Sequence, residues 1–450
     1  MRRILLVIGI VTVMALTICA DGMARDSAVI TAPAVPGVES KINSGDTAWV
    51  LVSVGLVMFM TPGLAFFYGG LVRKKNVLSI LMQCFMVICI ITLQWILFGY
   101  SLAFGPDVKG LIGNLSWFGL SGVGFAPNAD YAGTIPHNLF MIFQMMFAII
   151  TPALVLGAFA ERMKFSAYCV FVFLWATLVF DPMAHWMWGA GGFLKKMGAL
   201  DFAGGTVVHI NAGIAALVCA LVLGKRLGHP DKISPPHNLP FAVLGAGMLW
   251  FGWFGFNAGS ALGANGLACS TLVATHVAGA AAGFTWVVLD WMFNSRSTML
   301  GAITGAIAGL AAVTPASGFI TAGGGAAIGV GASIICYIFV AFVKAKLGYD
   351  DSLDAFGVHG IGGIWGTLAT GIWATKSINP SGADGMMYGN PGLFFIQLKA
   401  IVITIVYSLV MTFVLLKLID FVMGLRVSED DERIGLDLTQ HREVGYTTLE

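Results

Sequence analysis

Charged side chains are what this sequence has least of: Asp, Glu, Lys and Arg make up only 10% of its 450 residues. A soluble domain carries about a quarter, so an ordinary water-facing surface is excluded. Neither sign dominates. Twenty-four Lys and Arg against 23 Asp and Glu leave a formal net charge of +1, which removes the basic footprint of a nucleic-acid binder. Seven cysteines, at 19, 84, 89, 169, 219, 269 and 336, sit in apolar runs and never in C-x-x-C spacing. They read as small buried hydrophobes rather than disulfide partners or metal ligands. No H-E-x-x-H spacing occurs either, so no metal site is expected. What is plentiful is apolar: 58% of residues are hydrophobic and mean hydropathy is +0.86. Such a chain lives in a bilayer.

Arg2 and Arg3, the apolar run Ile4 to Leu16 and the small residues near Gly22 to Ala24 read as a secretory signal peptide, residues 1–24. Residues 25–45 are a polar, proline-containing exported lead-in. Eleven later runs are long enough to span a membrane: 48–71, 77–104, 136–160, 166–186, 203–223, 239–260, 267–293, 299–316, 320–345, 353–375 and 392–424. The sequence therefore predicts an all-α polytopic membrane protein, with a membrane domain at 46–425 and a polar tail at 426–450. One set of loops collects Arg73, Lys74, Lys75, Arg162, Lys164, Lys225, Arg226, Lys232, Arg296, Lys344 and Lys346, against Lys109, Lys195, Lys196 and Lys376 on the other. The richer side is expected to be cytoplasmic. That puts the mature N-terminus outside and the C-terminus inside.

Ionisable groups inside membrane-length runs are expensive and point to function. Asp201-Phe-Ala-Gly-Gly-Thr-Val-Val-His209 opens the fifth run, and Asp354-Ala-Phe-Gly-Val-His359 echoes it in the tenth. Five is an odd number, so runs one to five and six to ten form halves of opposite orientation. The expectation is an inverted 5+5 repeat plus one extra helix, with the site between the halves. A histidine pair is short of ligands for zinc; proton sharing or hydrogen bonding suits it better, since neutral imidazole both donates and accepts. No role falls to His137, His185 or His276, and His229, His237 and His441 read as loop or tail residues.

Aromatic residues supply a second component. Phe147 follows Gln144 in run three, Trp186 and Trp188 end run four, and Trp253 and Phe256 precede Ser260 in run six. Twelve tryptophans are ordinarily core and interface anchors. An aromatic cage with a hydroxyl is also how a small cation is held without a fixed negative charge.

Six blocks, Phe-Tyr-Gly-Gly-Leu-Val-Arg (67–73), Ala-Glu-Arg-Met-Lys-Phe (160–165), Ala-His-Trp-Met-Trp-Gly (184–189), Asp-Phe-Ala-Gly-Gly-Thr-Val-Val-His-Ile (201–210), Gly-Trp-Phe-Gly-Phe-Asn-Ala-Gly-Ser (252–260) and Phe-Gly-Val-His-Gly (356–360), resemble the signature blocks of the bacterial-type ammonium transporters, in order, from about residue 46 onward. The resemblance implies an eleven-helix subunit with its own pore, assembled as a homotrimer. It places Phe147, Trp188 and Ser260 at an outer recruitment site for ammonium, and Phe147 and Phe256 at a stacked gate. It places His209 and His359, flanked by Trp253, in the narrow pore. Asp201 matches a buried acid read as structural or as influencing deprotonation. It further implies a PII-type signal protein docking on the cytoplasmic face.

The expectation is ammonium uptake across the cell inner membrane, with no covalent chemistry and no cofactor. A bare cation entering hydrocarbon meets a penalty of order ten or more kcal/mol. Deprotonating an amine of pKa about 9–10 at neutral pH costs roughly 3–4 kcal/mol, so ammonia is the species expected to cross. Two readings compete. An ammonium sensor signalling through the PII-type partner would share the recognition site. A retinal-type pump would need a lysine deep in a helix, whereas Lys399 and Lys417 lie towards the ends of run eleven.

Overall fold

The computed structural model describes residues 42–231 and 235–446. The signal peptide, Cys19, Lys232 and most of the lead-in lie outside them. Among the described residues nine helices are long and apolar enough to cross a membrane: α1 Ser44–Leu71, α2 Lys74–Phe104, α3 His137–Phe159, α4 Phe165–Lys196, α5 Gly205–Leu223, α6 Leu239–Ala261, α7 Gly266–Asn294, α9 Ala322–Leu347 and α11 Pro391–Met423. Two shorter helical segments, α8 Met299–Val313 and α10 over 356–373, fall where the eighth and tenth runs were read. The only strands among the described residues, β1 Asp107–Val108 and β2 Ile112–Gly113, form a small antiparallel ribbon in the loop before α3.

Short polar side chains start several helices, as helix chemistry demands, because an N-cap oxygen satisfies amides that have no partner inside the helix. Asn43 accepts from Gly45 and Asp46 at the head of α1. Asn238, Asn265, Thr298 and Thr321 do the same for α6, α7, α8 and α9. Large apolar side chains then face outward: Phe421 is 91% exposed and Phe284 69%. In water that surface would be a liability; against lipid it is the favourable one.

Close helix crossings come from glycine. A Cβ on Gly245 of α6 would lie 2.2 Å from the Phe67 backbone of α1, and one on Gly213 of α5 would lie 2.2 Å from the Gly360 backbone of α10. These two contacts bring α1 onto α6 and α5 onto α10. The hydrogen-bond ladder also widens locally. π-helical turns occur at Trp95–Gly99, Ala176–Phe180, Gly205–Ile210, Phe254–Ala258, Ile338–Val343 and Phe356–Gly360 within the helices. Such turns are rare and collect at functional sites.

Composition alone reads the polar C-terminal stretch as a solvated tail. The structure instead folds it back against the lysine- and arginine-rich loops. Val427 N–H donates to the Arg162 carbonyl at 3.1 Å. A short helix α12, Glu429–Ile434, follows. Glu432 is 1% exposed, accepts from Leu227 N–H at 2.7 Å and pairs with Arg426 at 2.8 Å. Asp437 accepts from Ser79 N–H at 2.8 Å, Asn76 from Leu436 N–H at 2.8 Å, and Lys75 donates to the Arg433 carbonyl.

Candidate functional site

His209 and His359 each sit in a π-helical turn, at the start of α5 and α10. Their rings lie 5.2 Å apart between centroids and 13° from parallel. Both are almost fully buried, at 1% and 4% exposed. The Gly213–Gly360 crossing lies one turn beyond His209 and directly after His359, and a Cβ on Gly363 would come within 3.0 Å of His209 Cβ. Small residues thus let two helices approach until the imidazoles stack. Three of the four ring nitrogens, both of His209 and Nδ1 of His359, are buried without a protein hydrogen-bond partner. Each such atom costs about 1–3 kcal/mol, an expense that packing alone does not explain.

The histidines line a narrow cavity of about 10 Å³, walled by Met60, Leu64, Ile150, Leu154, Leu249 and other apolar side chains. That is room for about one water-sized molecule. The histidines are its hydrogen-bonding side chains, and Trp253 also lines it. The Trp253 indole is itself committed: its Nε1–H donates to Thr314 Oγ1 at 3.0 Å, and Thr314 donates onward to the Leu310 carbonyl at 2.8 Å. Its ring lies 5.7 Å from that of His209. Thr314 gave no signal in the sequence, because a threonine in an apolar helix is unremarkable until its partner is known.

Above the histidines the aromatic rings form a series. Phe256 lies 6.0 Å from His209, Phe147 lies 4.5 Å from Phe256, and Trp188 lies 5.7 Å from Phe147, centroid to centroid. Phe256 lines the histidine cavity, and Phe147, in contact with it, lines a wider vestibule of about 440 Å³. Gln144, Phe147, Trp188, Asp201 and Ser260 are among the residues lining that vestibule. Ser260 donates to the Phe256 carbonyl at 2.8 Å, which leaves its oxygen lone pairs for an incoming donor. Trp188 is fixed by its Nε1–H bond to the Asp201 carbonyl at 2.9 Å. The eight positions singled out in the sequence come together in one column.

The two acids turn out differently. The Asp201 carboxylate caps α5: it accepts from the N–H groups of Gly204, Gly205, Thr206 and Val207 at 2.7, 2.6, 2.7 and 3.2 Å, and from the Thr206 hydroxyl. The turn requires φ of 127° at Gly204, which only glycine adopts readily. With five donors on two oxygens, this carboxylate is occupied in holding the helix start. Its counterpart ahead of α10 is Asp351, not the Asp354 of the sequence echo. Asp351 accepts from Ala355 and Phe356 N–H at 3.1 and 2.8 Å, while Asp354 pairs with Lys344. The spacing from 351 to 359 equals that from 201 to 209, a signal that was present but masked by the nearer acid.

Among the described residues no cluster of His, Cys, Asp or Glu could hold a metal ion. His185, left without a role above, bonds the Ala103 carbonyl and Asp107 at 3.0 and 2.9 Å. His137 bonds Tyr100 at 2.6 Å.

Known proteins resemble this chain over most of its length. The sequence pattern of the Ammonium Transporter Family matches residues 48–446. An ammonium transporter of Bacillus subtilis is 52% identical over 402 residues, which is 89% of this chain and 98% of that relative. The crystal structure of Saccharomyces cerevisiae Mep2 superposes with a TM-score of 0.81 at 37% identity, covering 87% of this chain and 89% of that one. A solved Sensor Amt Protein superposes with a TM-score of 0.81 at 29% identity, covering 88% and 98% respectively.

Proposed function

The chain belongs to the ammonium transporter family, and on that premise we propose that it takes ammonium from the outer vestibule and conducts it inward as ammonia. Trp188, Phe147 and Ser260 recruit the cation: the rings offer π faces and the serine an acceptor. Phe147 and Phe256 then gate a path too narrow for a hydration shell. Proton loss precedes passage because carrying the charge into the apolar cavity costs several kcal/mol more than giving up the proton. His209 and His359 receive the neutral molecule, their unpaired nitrogens meeting its donors and lone pair; Trp253 holds the wall beside them. Asp201 acts through the backbone, by fixing the α5 start and, through its carbonyl, the Trp188 ring.

The observation that carries this reading is the column itself, an aromatic vestibule leading past the close phenyl rings of Phe147 and Phe256 to a narrow cavity with two hydrogen-bond-starved histidines. Ammonium pulses applied to proteoliposomes on a solid-supported membrane test it. A current or an internal pH change that saturates with ammonium and is absent for potassium is expected. Empty-vesicle behaviour would reject it.

The larger assembly follows from the same premise. Eleven helices cross the membrane as two inverted halves of five plus α11. In support, the crossings α1–α6 and α5–α10 join equivalent positions, and each histidine follows a capping acid by eight residues. Three such subunits form a homotrimer in the cell inner membrane and serve nitrogen uptake, each with the N-terminus outside once residues 1–24 are removed. Residues 46–425 form the membrane domain, and 426–450 a cytoplasmic regulatory tail against which a PII-type protein docks. A sensor reading also has support, since the Sensor Amt Protein shares the fold and the tail is ordered against the loops. Substrate-limited flux separates the two, because a sensor need not turn over.

A further inference from the structure

The outer vestibule holds a positive charge where a cation has to bind. Residues Phe193–Lys196 form one helical turn after the break at 189–192, and this turn aims two lysines differently. Lys196 approaches the Asp107 carboxylate at 3.6 Å. Lys195 turns to the vestibule, lines it beside Phe147, Trp188 and Ser260, and donates to the backbone carbonyl of Trp188 at 3.3 Å. Among the described residues it forms no ion pair within 4.0 Å. Asp130 lines the same cavity without pairing with it. The Asp201 carboxylate below is engaged by its five donors.

We propose that Lys195 is a specificity-determining residue of the recruitment site: its charge weakens binding of the ammonium cation and favours the neutral ammonia that proton loss creates. The reasoning is that only the protonated ligand feels the repulsion. Two unit charges ~8 Å apart in a wet cavity of effective dielectric ~40–80 lose roughly two- to sixfold in joint occupancy. The same factor pushes a bound ammonium towards giving up its proton at the vestibule floor, before the phenyl gate. Affinity is thereby exchanged for readiness to deprotonate. The inference rests on the transport reading above.

The test compares the parent with Lys195→Met and Lys195→Arg in proteoliposomes, using ammonium chloride pulses at low and high ionic strength. Methionine keeps the length of the stem and removes the charge. At low salt Lys195→Met should lower the KM for ammonium about two- to sixfold without raising the maximal rate, and Lys195→Arg should keep the parent KM. At about 1 M salt, where the screening length is about 3 Å, the difference should vanish. A Lys195→Met KM equal to or above that of a transporting parent at low salt overturns the inference alone. A parent with neither current nor internal pH change on ammonium overturns the transport reading and this inference with it.

Discussion

At the scale of single residues, the paired histidines differ from ordinary buried histidines by what they lack. His137 and His185 each have partners; His209 has none at either nitrogen. A structural imidazole with both nitrogens unpaired would be poorly placed, whereas one that meets a passing molecule must keep them free. Replacing His209 or His359 with alanine is therefore expected to change the conducted species or its rate. Ammonium-evoked current and potassium discrimination measured on both variants check it, and values equal to the parent in both would dismiss the pair as pore elements. Trp188→Leu removes the π face but leaves an apolar wall. A loss of about 0.5–2 kcal/mol in cation binding predicts a KM raised by between about twofold and thirtyfold, read from concentration dependence over a wide ammonium range.

At the scale of helices, the site depends on how closely α5 and α10 approach. Neither Gly213 nor Gly360 touches substrate in the proposed path, yet an added Cβ at 213 has nowhere to go. Gly213→Ala should force the two helices apart. Overpacking of this kind typically costs about 1–3 kcal/mol, and it should separate the stacked imidazoles before it unfolds the subunit. The expected signature is conduction reduced at least tenfold, alongside a thermal midpoint lowered by only a few degrees. Retained conduction with the full loss of stability would show that the crossing serves packing alone. The helix starts carry a related lesson. Asp201 was legible as an acid heading a histidine helix, because the two lie in one continuous block. Asp351 was not, because Asp354 stands nearer to His359 and sequence distance cannot show that its side chain turns away to Lys344.

At the scale of the whole molecule, the loops and the tail form one clamp on the lysine- and arginine-rich face. Arg226 bonds Asp350 through its main-chain N–H, Nε and Nη2 at 2.8, 2.9 and 2.8 Å. Arg162, fully buried, donates to the Asp350 carbonyl at 2.7 Å. Burial alone would raise the Asp350 carboxyl, but the bonded Arg226 guanidinium, with Arg162 nearby, outweighs it and holds the group at about 2. A carboxylate lowered by folding stabilises the folded state above its ordinary value and loses that contribution as pH falls through the lowered one. The stability gap between the parent and Asp350→Asn should thus be flat above about pH 4 and shrink between about pH 4 and pH 2, as followed by thermal unfolding in detergent. A gap independent of pH over that window would mean that the charge is not what holds the clamp.

The docked tail gives a second test at this scale. Deleting 427–450 removes Glu432 from the loop after α5 and Asp437 from the first turns of α2, so recovery of a cognate PII-type protein by co-purification should fall while the proposed trimer persists. Equal recovery from both forms would exclude the tail as the docking element.

The membrane class was fixed by the sequence alone, because transfer of apolar side chains into lipid is nearly additive and needs no knowledge of neighbours. The helical runs follow from it, since a backbone inside hydrocarbon must satisfy its own hydrogen bonds. The motif blocks likewise named Trp188, Asp201, His209, Trp253, Phe256, Ser260 and His359, and the family resemblance added Phe147, before any contact was known. Proximity belonged to the tertiary structure. It decided that the rings stand in one column, that Thr314 holds Trp253, that Asp351 rather than Asp354 caps α10, and that a polar tail lies ordered against the loops. The π-helical turns that aim both histidines inward are equally invisible in the sequence. Each of these depends on which groups meet in space, whether five residues apart or several hundred, and hydropathy, which sums one side chain at a time, carries no term for a pair.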